Sequence, residues 1–263
     1  PPRSTLFPYT TLFRSILIAL FGTALGPLVT FIVFEAGFTG VPALLMGLFV
    51  GVAAGVCLPP VAMAMLHMHQ GYNLYNLGLS CGFFGLFGAS LLVAAGKDVS
   101  ITIVWNTRPS LVMILLVPLV SVLYILWGFA LGRGETVEDV KDILKLPGRL
   151  PSDFVDLVSP GGALVNVGVL GLLGSAYVFA VGADFNGPVL GGLLTLMGFG
   201  AFGKHPKNCW PVLAGVILSC LVFGKSLTAP GPILAALFAN TLAPLAGRSE
   251  ERRVGKELRS WWV

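Results

Sequence analysis

The sequence predicts an all-α fold, a polytopic transmembrane helical bundle, from three observations. Its 263 residues are 56% hydrophobic and only 11% charged, whereas roughly a quarter of the residues in a soluble domain are charged. The mean hydropathy is +0.88. Several apolar runs approach the ~20 residues that a helix needs to cross a bilayer. The alternating segments of ~10 residues that are typical of a transmembrane barrel do not occur in the sequence.

About seven to eight apolar segments follow one another along the chain. Each predicts a helix, because a backbone exposed to lipid must satisfy its own hydrogen bonds. The segments are residues 16–34, 41–66, 77–95, 109–131, 161–181, 187–202, 209–224 and 230–245. Pro59-Pro60 interrupts the second segment, and the last three are short. We therefore expect re-entrant or broken helices among them.

The two ends of the chain differ in character from its interior. Residues 3–15 resemble the in-frame translation of a short-read sequencing adapter, and residues 248–257 resemble the translation of its reverse complement. The alternative is an N-terminal targeting peptide and a basic C-terminal tail, but residues 3–15 lack the apolar core and the cleavage site of a secretory signal. We therefore expect residues 1–15 and 248–263 to be non-native tails on a fragment.

The charge of the interior argues against nucleic acid as a partner. The formal charge of +4 comes from 16 Lys and Arg residues against 12 Asp and Glu residues. The two end segments hold seven of the basic and three of the acidic residues, so the interior carries nine of each. A neutral interior offers no net attraction to a polyanion.

The interior divides into residues 16–132, a charged loop at 133–160, and residues 161–247. The first and last parts each contain apolar segments and one polar motif. Residues 135–146 in the loop predict a short amphipathic helix, because their apolar side chains fall near one helical face. These side chains are Val137, Val140, Ile143 and Leu144.

The polar motifs are the sequence HMHQGYNLYNLG at residues 67–78 and the pair of segments 184–188 and 204–208. Burying an amide without a partner costs roughly 2–7 kcal/mol, so dense polar clusters between apolar runs predict a function. Asn73 and Asn76 are three residues apart and would share a face of a helix. Their amides could bind a small polar solute. The candidate pathway residues are Tyr72, Asn73, Asn76, Asp184, Phe185, Asn186, His67 and His69.

Each of these residues also has an ordinary structural interpretation. The asparagines could cap helices or bond to neighbouring helices, and Asp184 could be a solvated loop residue. Residues 204–208 could form a tight turn at the membrane edge. His67 and His69 would point to opposite sides of a helix with no third ligand at zinc-site spacing. We therefore expect no metal and no cofactor, and consider a hydrogen-bonded or proton-responsive histidine pair instead.

Two of the polar segments are similar to each other. Tyr72-Asn73 and Phe185-Asn186 are both aromatic–Asn pairs that open a glycine-rich apolar stretch. This similarity predicts a diverged internal repeat, a feature frequent in transporters.

The segments GYNLYNLGLSCGFFG and FNGPVLGGLLTLMGFGAFGKHPKN together resemble the uncharacterised bacterial multi-pass membrane family catalogued as domain of unknown function 1576. The resemblance covers most of residues 16–247. It implies a longer protein with a second Asn-Leu-Tyr-Asn element near its C-terminus, which this chain lacks, and it implies no catalytic residue. A fainter similarity links the aromatic-Asn elements to those of urea transporters.

Three functions fit these observations. The first is a channel or transporter for a small polar solute in a bacterial inner membrane. The second is a membrane scaffold or accessory subunit that uses the charged loop as its contact surface. The third is an intramembrane enzyme using His67, His69 or Asp184, which is disfavoured because the sequence has no Gly-x-Ser-x-Gly motif and no paired carboxylates within the apolar runs. The partners predicted are the lipid bilayer, a small polar solute and further copies of the chain.

Overall fold

The computed structural model describes residues 16, 18–99, 104–132 and 134–247, and every regular element within these ranges is helical. The first elements are α1 (Ile18–Phe34, with a 3-10 turn at Thr23–Leu25), α2 (Gly40–His69), α3 (Asn76–Ala94) and α4 (Leu111–Leu131). The short helices α5 (Thr136–Ile143) and α6 (Phe154–Leu157) follow. The last are α7 (Pro160–Val181), α8 (Gly187–Gly198), α9 (Pro206–Val222), α10 (Pro230–Phe238) and α11 (Ala243–Ala246).

Among the described residues, four helices are long and apolar enough to cross a membrane. They are α2, α3, α4 and α7, with 30, 19, 21 and 22 residues and hydropathies of 2.3, 1.9, 2.5 and 2.0. A helix rises 1.5 Å per residue, so α4 extends about 31 Å, which matches a hydrocarbon core of about 30 Å. The prediction of a helical membrane protein in a lipid environment is confirmed.

The expected break at Pro59-Pro60 is wrong. Both prolines lie inside α2, which continues to His69. A proline lacks one backbone donor and so removes one hydrogen bond, but membrane helices tolerate this loss where neighbouring groups satisfy the freed carbonyls. Pro118 lies inside α4 in the same way.

The described residues form two compact units. The first unit contains α1, α2 and α3, without residues 71–74. Its buried core includes Leu25, Ala54, Leu58 and Cys81. Helices α1 and α2 approach closely at Gly47, where an added Cβ would overlap the side chain of Val33. Such small residues favour helix contacts in lipid.

The second unit contains residues 71–74 and the chain from α4 to α11. Its core includes Val117 on α4, Val178 on α7, Leu193 on α8 and Ile233 on α10. Helices α4 and α7 pack closely at Gly128, where an added Cβ would lie 2.7 Å from the Gly161 carbonyl oxygen. The helix pair therefore depends on small residues at its contact.

The charged loop belongs to the second unit and packs through its apolar side. Helix α5 lies within the segment for which the sequence predicts an amphipathic helix, and Ile143 and Phe154 are fully buried. The exposed side carries two ion pairs, Lys141–Glu138 at 2.6 Å and Lys145–Asp142 at 2.7 Å. The predicted tails at 1–15 and 248–263 lie outside the described residues.

Candidate functional site

The motif at 67–78 is divided by a sharp turn. Gln70 and Gly71 have φ values of +51° and +84°, in the left-handed region that ends helices. The chain is then non-helical until Asn76, the first residue of α3. The expectation that Asn73 and Asn76 share a helix face is therefore wrong, because Asn73 precedes the helix and belongs to the second unit.

In the first unit, Asn76 connects α3 to α2. Its Oδ1 lies 2.8 Å from His69 Nε2, and its Nδ2 donates to the Ala62 carbonyl oxygen at 3.1 Å. His69 is half-buried, whereas His67 is exposed. The two histidines thus differ in environment, and only His69 contacts the asparagine amide.

In the second unit, residues 71–74 are fixed at both ends by backbone hydrogen bonds. The Leu150 N–H donates to the Gly71 carbonyl at 3.1 Å, and the Leu74 N–H donates to the Thr241 carbonyl at 3.0 Å. The Thr241 hydroxyl donates to Asn73 Oδ1. The segment is therefore bound to two parts of the chain that are distant in sequence.

Side-chain stacking adds to this attachment. The Arg149 guanidinium lies 4.6 Å from the centroid of the Tyr72 ring. This distance is typical of a cation–π contact.

Three of the five residues at 204–208 are buried, whereas Lys207 is exposed. Lys204, His205 and Asn208 are exposed by 0%, 2% and 1%. His205 caps α9, because its Nδ1 accepts from the Asn208 N–H at 3.3 Å while Asn208 Oδ1 accepts from the His205 N–H at 3.0 Å. His205 Nε2 lies 2.9 Å from the Leu146 carbonyl oxygen. A carbonyl oxygen can only accept, so His205 Nε2 is the donor in this hydrogen bond.

Two side-chain amides donate hydrogen bonds to backbone carbonyls of the loop between α8 and α9. Asn166 Nδ2 donates to the carbonyls of Gly200 at 2.6 Å and Lys204 at 2.7 Å. Asn208 Nδ2 donates to the Gly203 carbonyl at 2.9 Å. Gly148 packs so closely on this loop that an added Cβ would overlap the Gly203 oxygen. The loop is therefore attached through three of its carbonyl oxygens and one close glycine contact.

These contacts join four segments of the second unit, which we call the polar hub. The hub consists of residues 71–74, 146–150, 199–208 and 240–241. Leu74 lies close to Gly203, since a Cβ added to Gly203 would lie 3.0 Å from Leu74 Cδ2. The hub thus brings the predicted residues Tyr72 and Asn73 together with the second polar segment.

Lys204 is the most perturbed basic group in the hub. Burial in protein disfavours its ammonium form and lowers the pKa of Lys204 to about 7, from an ordinary value of 10.5. Its Nζ lies 5.5 Å from the centroid of the Phe199 ring. A lysine with this pKa changes charge near neutral pH.

The predicted residues Asp184, Phe185 and Asn186 lie just before α8, at the end opposite the hub loop. Asn186 is buried and caps α8, since its Oδ1 accepts from the Val189 N–H at 3.1 Å and its Nδ2 donates to the Asn106 carbonyl at 3.3 Å. Phe185 packs in the core with its ring centroid 4.7 Å from that of Phe179. Asp184 is half-buried. The 12 residues of α8 separate this end from the hub loop by about 18 Å.

The two aromatic–Asn elements have different local structures. Asn73 lies in a non-helical segment and binds Thr241, whereas Asn186 caps a helix. The internal repeat stays a prediction.

A cavity of about 200 Å³ adjoins the hub, between α7, α8, α9 and α10. The hub residues Pro206 and Asn240 line it, as does Cys209, which follows the hub residue Asn208. Leucine side chains form most of the remaining wall. The cavity is therefore apolar with a few polar groups.

Sequence reasoning missed Asn166 and Asn240. Each is a single amide within an apolar run, at 161–181 and 230–245 respectively, and Thr241 is the one polar residue directly beside either of them. The signal that could have found them is the cost of an amide in a membrane helix, which requires a hydrogen-bonding partner.

Comparison with known families settles the relationship that the sequence suggests. The chain matches the family described as Protein of unknown function (DUF1576) over residues 4–94 and 133–255. The chain belongs to this family. The part that matches DUF1576 includes all of the hub and omits α4, and it extends into both end segments that the sequence analysis sets aside. No curated protein and no solved structure matches the chain.

Proposed function

We propose that this DUF1576 protein is a channel or transporter for a small polar solute in the inner membrane of a bacterium. The observation that carries the proposal is the combination, in the second unit, of helices too short to span a bilayer with buried amides at their ends. Helix α8 has 12 residues, and the helical run Pro230–Ala246 has 17, so they extend about 18 Å and 26 Å against a hydrocarbon core of about 30 Å. Any such helix inserted along the membrane normal ends inside that core.

Helix ends within a membrane need partners for their backbone groups. Irregular backbone at that depth is tolerated where it is buried in protein or lines a water-filled cavity. Asn186 satisfies a donor at the start of α8, and Asn166 satisfies two carbonyls in the loop after it. Transporters commonly place their solute sites at interrupted helices of this kind.

The asparagines of the predicted pathway bind protein atoms in this conformation. Asn73 binds Thr241, Asn76 binds His69 and Ala62, and Asn186 binds Asn106 and Val189. In the proposed function, Asn73 therefore positions the hub through its bond to Thr241. Because the hub sequence contains basic residues and no carboxylate, uncharged and anionic solutes fit it better than cations.

The test is solute flux into proteoliposomes that contain the full chain. Urea, glycerol, glycine and formate serve as probes, and vesicle swelling is followed by stopped-flow light scattering. We expect protein-dependent flux of at least one probe, with a loss of tenfold or more in Asn73→Ala. Asn106→Ala is the matched control, because Asn106 is exposed and only its backbone oxygen binds Asn186. Flux equal to that of empty vesicles for every probe would overturn the proposal and favour a scaffold.

A further inference from the structure

We propose that the outer side of α5 is the surface through which two copies of this chain associate, with the two α5 helices antiparallel across a two-fold axis. We call the side chains Glu138, Lys141, Asp142 and Lys145 the α5 face. This surface lies outside the hub, so the association does not depend on which solute the protein carries.

The inner side of α5 is fixed to the ends of two spanning helices. The Thr136 hydroxyl is buried and donates to the Gly128 carbonyl of α4 at 3.5 Å. Asp139 accepts a hydrogen bond of 2.5 Å from the hydroxyl of Ser159, the N-cap residue of α7, and Ile143 is fully buried. These contacts recur every three or four residues and therefore occupy one side of the helix. The opposite side is turned away from α4 and α7.

The α5 face is this opposite side. Its four residues are spaced i, i+3, i+4 and i+7 and lie on α5 and on the turn that follows it. They form the ion pairs Glu138–Lys141 and Asp142–Lys145 within the chain, and all four side chains are more than half exposed. Exposed ion pairs of this kind are weak. The charges are therefore available to a partner.

The order of these charges is complementary to itself. The signs along the chain are negative, positive, negative and positive. A two-fold axis between residues 141 and 142 of an antiparallel pair places Glu138 opposite Lys145 of the second copy, and Lys141 opposite Asp142 of the second copy. The symmetry repeats both pairs, so opposite charges face each other at all four positions. A two-fold contact uses the same surface on both copies, and a second copy is therefore the partner that this face fits.

An apolar side chain adjoins the charges. Val137 lies beside the α5 face and is 53% exposed. Its burial between two copies would favour association. The charges would fix the register and the orientation of the two helices, as charged side chains do at the edges of coiled coils.

The test is a variant in which all four charges are inverted, by Glu138→Lys, Lys141→Glu, Asp142→Lys and Lys145→Glu. This inverted variant keeps the net charge, the ion pairs within the chain and the complementarity of the face to itself. When it is paired with the wild type, however, like charges meet at every position across the axis. Two full-length copies with different affinity tags are co-expressed in one membrane, solubilised in mild detergent and captured through the first tag. The readout is the amount of the second tag that is retained.

We expect wild-type copies to retain each other and inverted copies to retain each other, whereas the mixed pair should be retained at least fivefold less. Asp156→Lys is the control, because Asp156 is exposed in the same loop but lies outside the α5 face. This control variant should still associate with the wild type. Gel filtration checks that each variant folds, and Glu138→Lys combined with Lys145→Glu carries the same test if the fourfold variant does not fold.

Two results for the wild type would overturn the proposal, namely no retention between wild-type copies or equal retention in the mixed pair. A folded inverted variant that does not associate with itself would overturn it too, because its face is complementary to itself in the same way. The readout is independent of flux, so its outcome does not depend on the transport proposal.

Discussion

Asn166 on α7 holds the carbonyl oxygen of Lys204, 38 residues later in the chain, at 2.7 Å from its Nδ2. The same nitrogen donates to the Gly200 carbonyl, so one side chain fixes both ends of the loop. The amide is 1% exposed, and water cannot replace it. The side-chain hydrogen bonds from this spanning helix to the loop carbonyls of Gly200 and Lys204 thus come from one residue.

Replacing Asn166 by leucine should destabilise the protein. Two buried carbonyl oxygens lose their hydrogen-bond donor, which costs about 1–3 kcal/mol each. The substitution also removes the buried, unpaired Oδ1 of Asn166, and this gain offsets part of the cost. We expect a net loss of about 1–3 kcal/mol in the free energy of unfolding, measured by SDS titration in mixed micelles. Thr195→Val is the control, because its hydroxyl bonds only to the preceding turn of an exposed helix face. Equal stability of the two variants would show that the loop does not depend on Asn166.

Replacing His205 should separate its two roles. His205→Ala removes both the cap of α9 and the bond to Leu146, and loss of a cap costs about 0.5–2 kcal/mol. His205→Asn keeps a capping side chain but is too short to reach Leu146. We expect His205→Ala to lower the free energy of unfolding more than His205→Asn does. If both lose the same amount, the cap contributes nothing measurable.

The stability of the protein should rise with pH above neutrality because of Lys204. Its pKa is about 7 when folded and returns to the ordinary 10.5 on unfolding. Between these values the unfolded chain binds more protons than the folded chain, so the free energy of unfolding increases with pH, by up to about 1.4 kcal/mol per pH unit. Below pH 7 both states are protonated and the burial of the ammonium keeps the folded state at its least stable.

The pH dependence is measured by SDS titration between pH 6.5 and pH 9. Lys204→Met should flatten the profile and be more stable than the wild type at the acidic end. Lys207 is an exposed lysine in the first turn of α9, and Lys207→Met should leave the profile unchanged. A slope that persists in Lys204→Met would assign the effect to another group.

Two glycines with the same backbone conformation should respond differently to a methyl group. Gly148 and Gly182 both have a φ of +73°, but an added Cβ overlaps the Gly203 oxygen at Gly148 and meets nothing within 4 Å at Gly182. Gly182→Ala should cost about 1–2 kcal/mol from the left-handed conformation alone. Gly148→Ala should cost clearly more, because the contact between the two hub loops must open. Equal losses in unfolding experiments would mean that this contact adjusts freely.

The helices were predictable because length and apolar composition determine them locally. Helix α7, for instance, lies within one residue of its predicted start, and the apolar run that predicts it also contains the missed Asn166. The continuity of α2 through Pro59-Pro60 was not predictable, because it depends on whether the surroundings tolerate the freed carbonyls.

The hub was only partly predictable. The clustering of polar residues at 71–76 and 204–208 correctly drew attention to parts of it, but the partners depend on contacts between distant residues. Asn73 and Thr241 are 168 residues apart, and no periodic pattern links them. Likewise, the sequence around Lys204 is typical of an exposed turn. Lys204 is buried because neighbouring loops enclose it.

The distance along the chain between Asn73 and Thr241 has a consequence for biosynthesis. A ribosome adds roughly 5–20 residues per second, so the 168 residues between the two partners take about 8–34 s to be made. During this interval residues 71–74 have already been synthesised, whereas Thr241, to which Asn73 binds, has not. The hub cannot close before residue 241 is made, and a nascent chain stalled before that residue would expose the asparagine to whatever machinery inserts the helices.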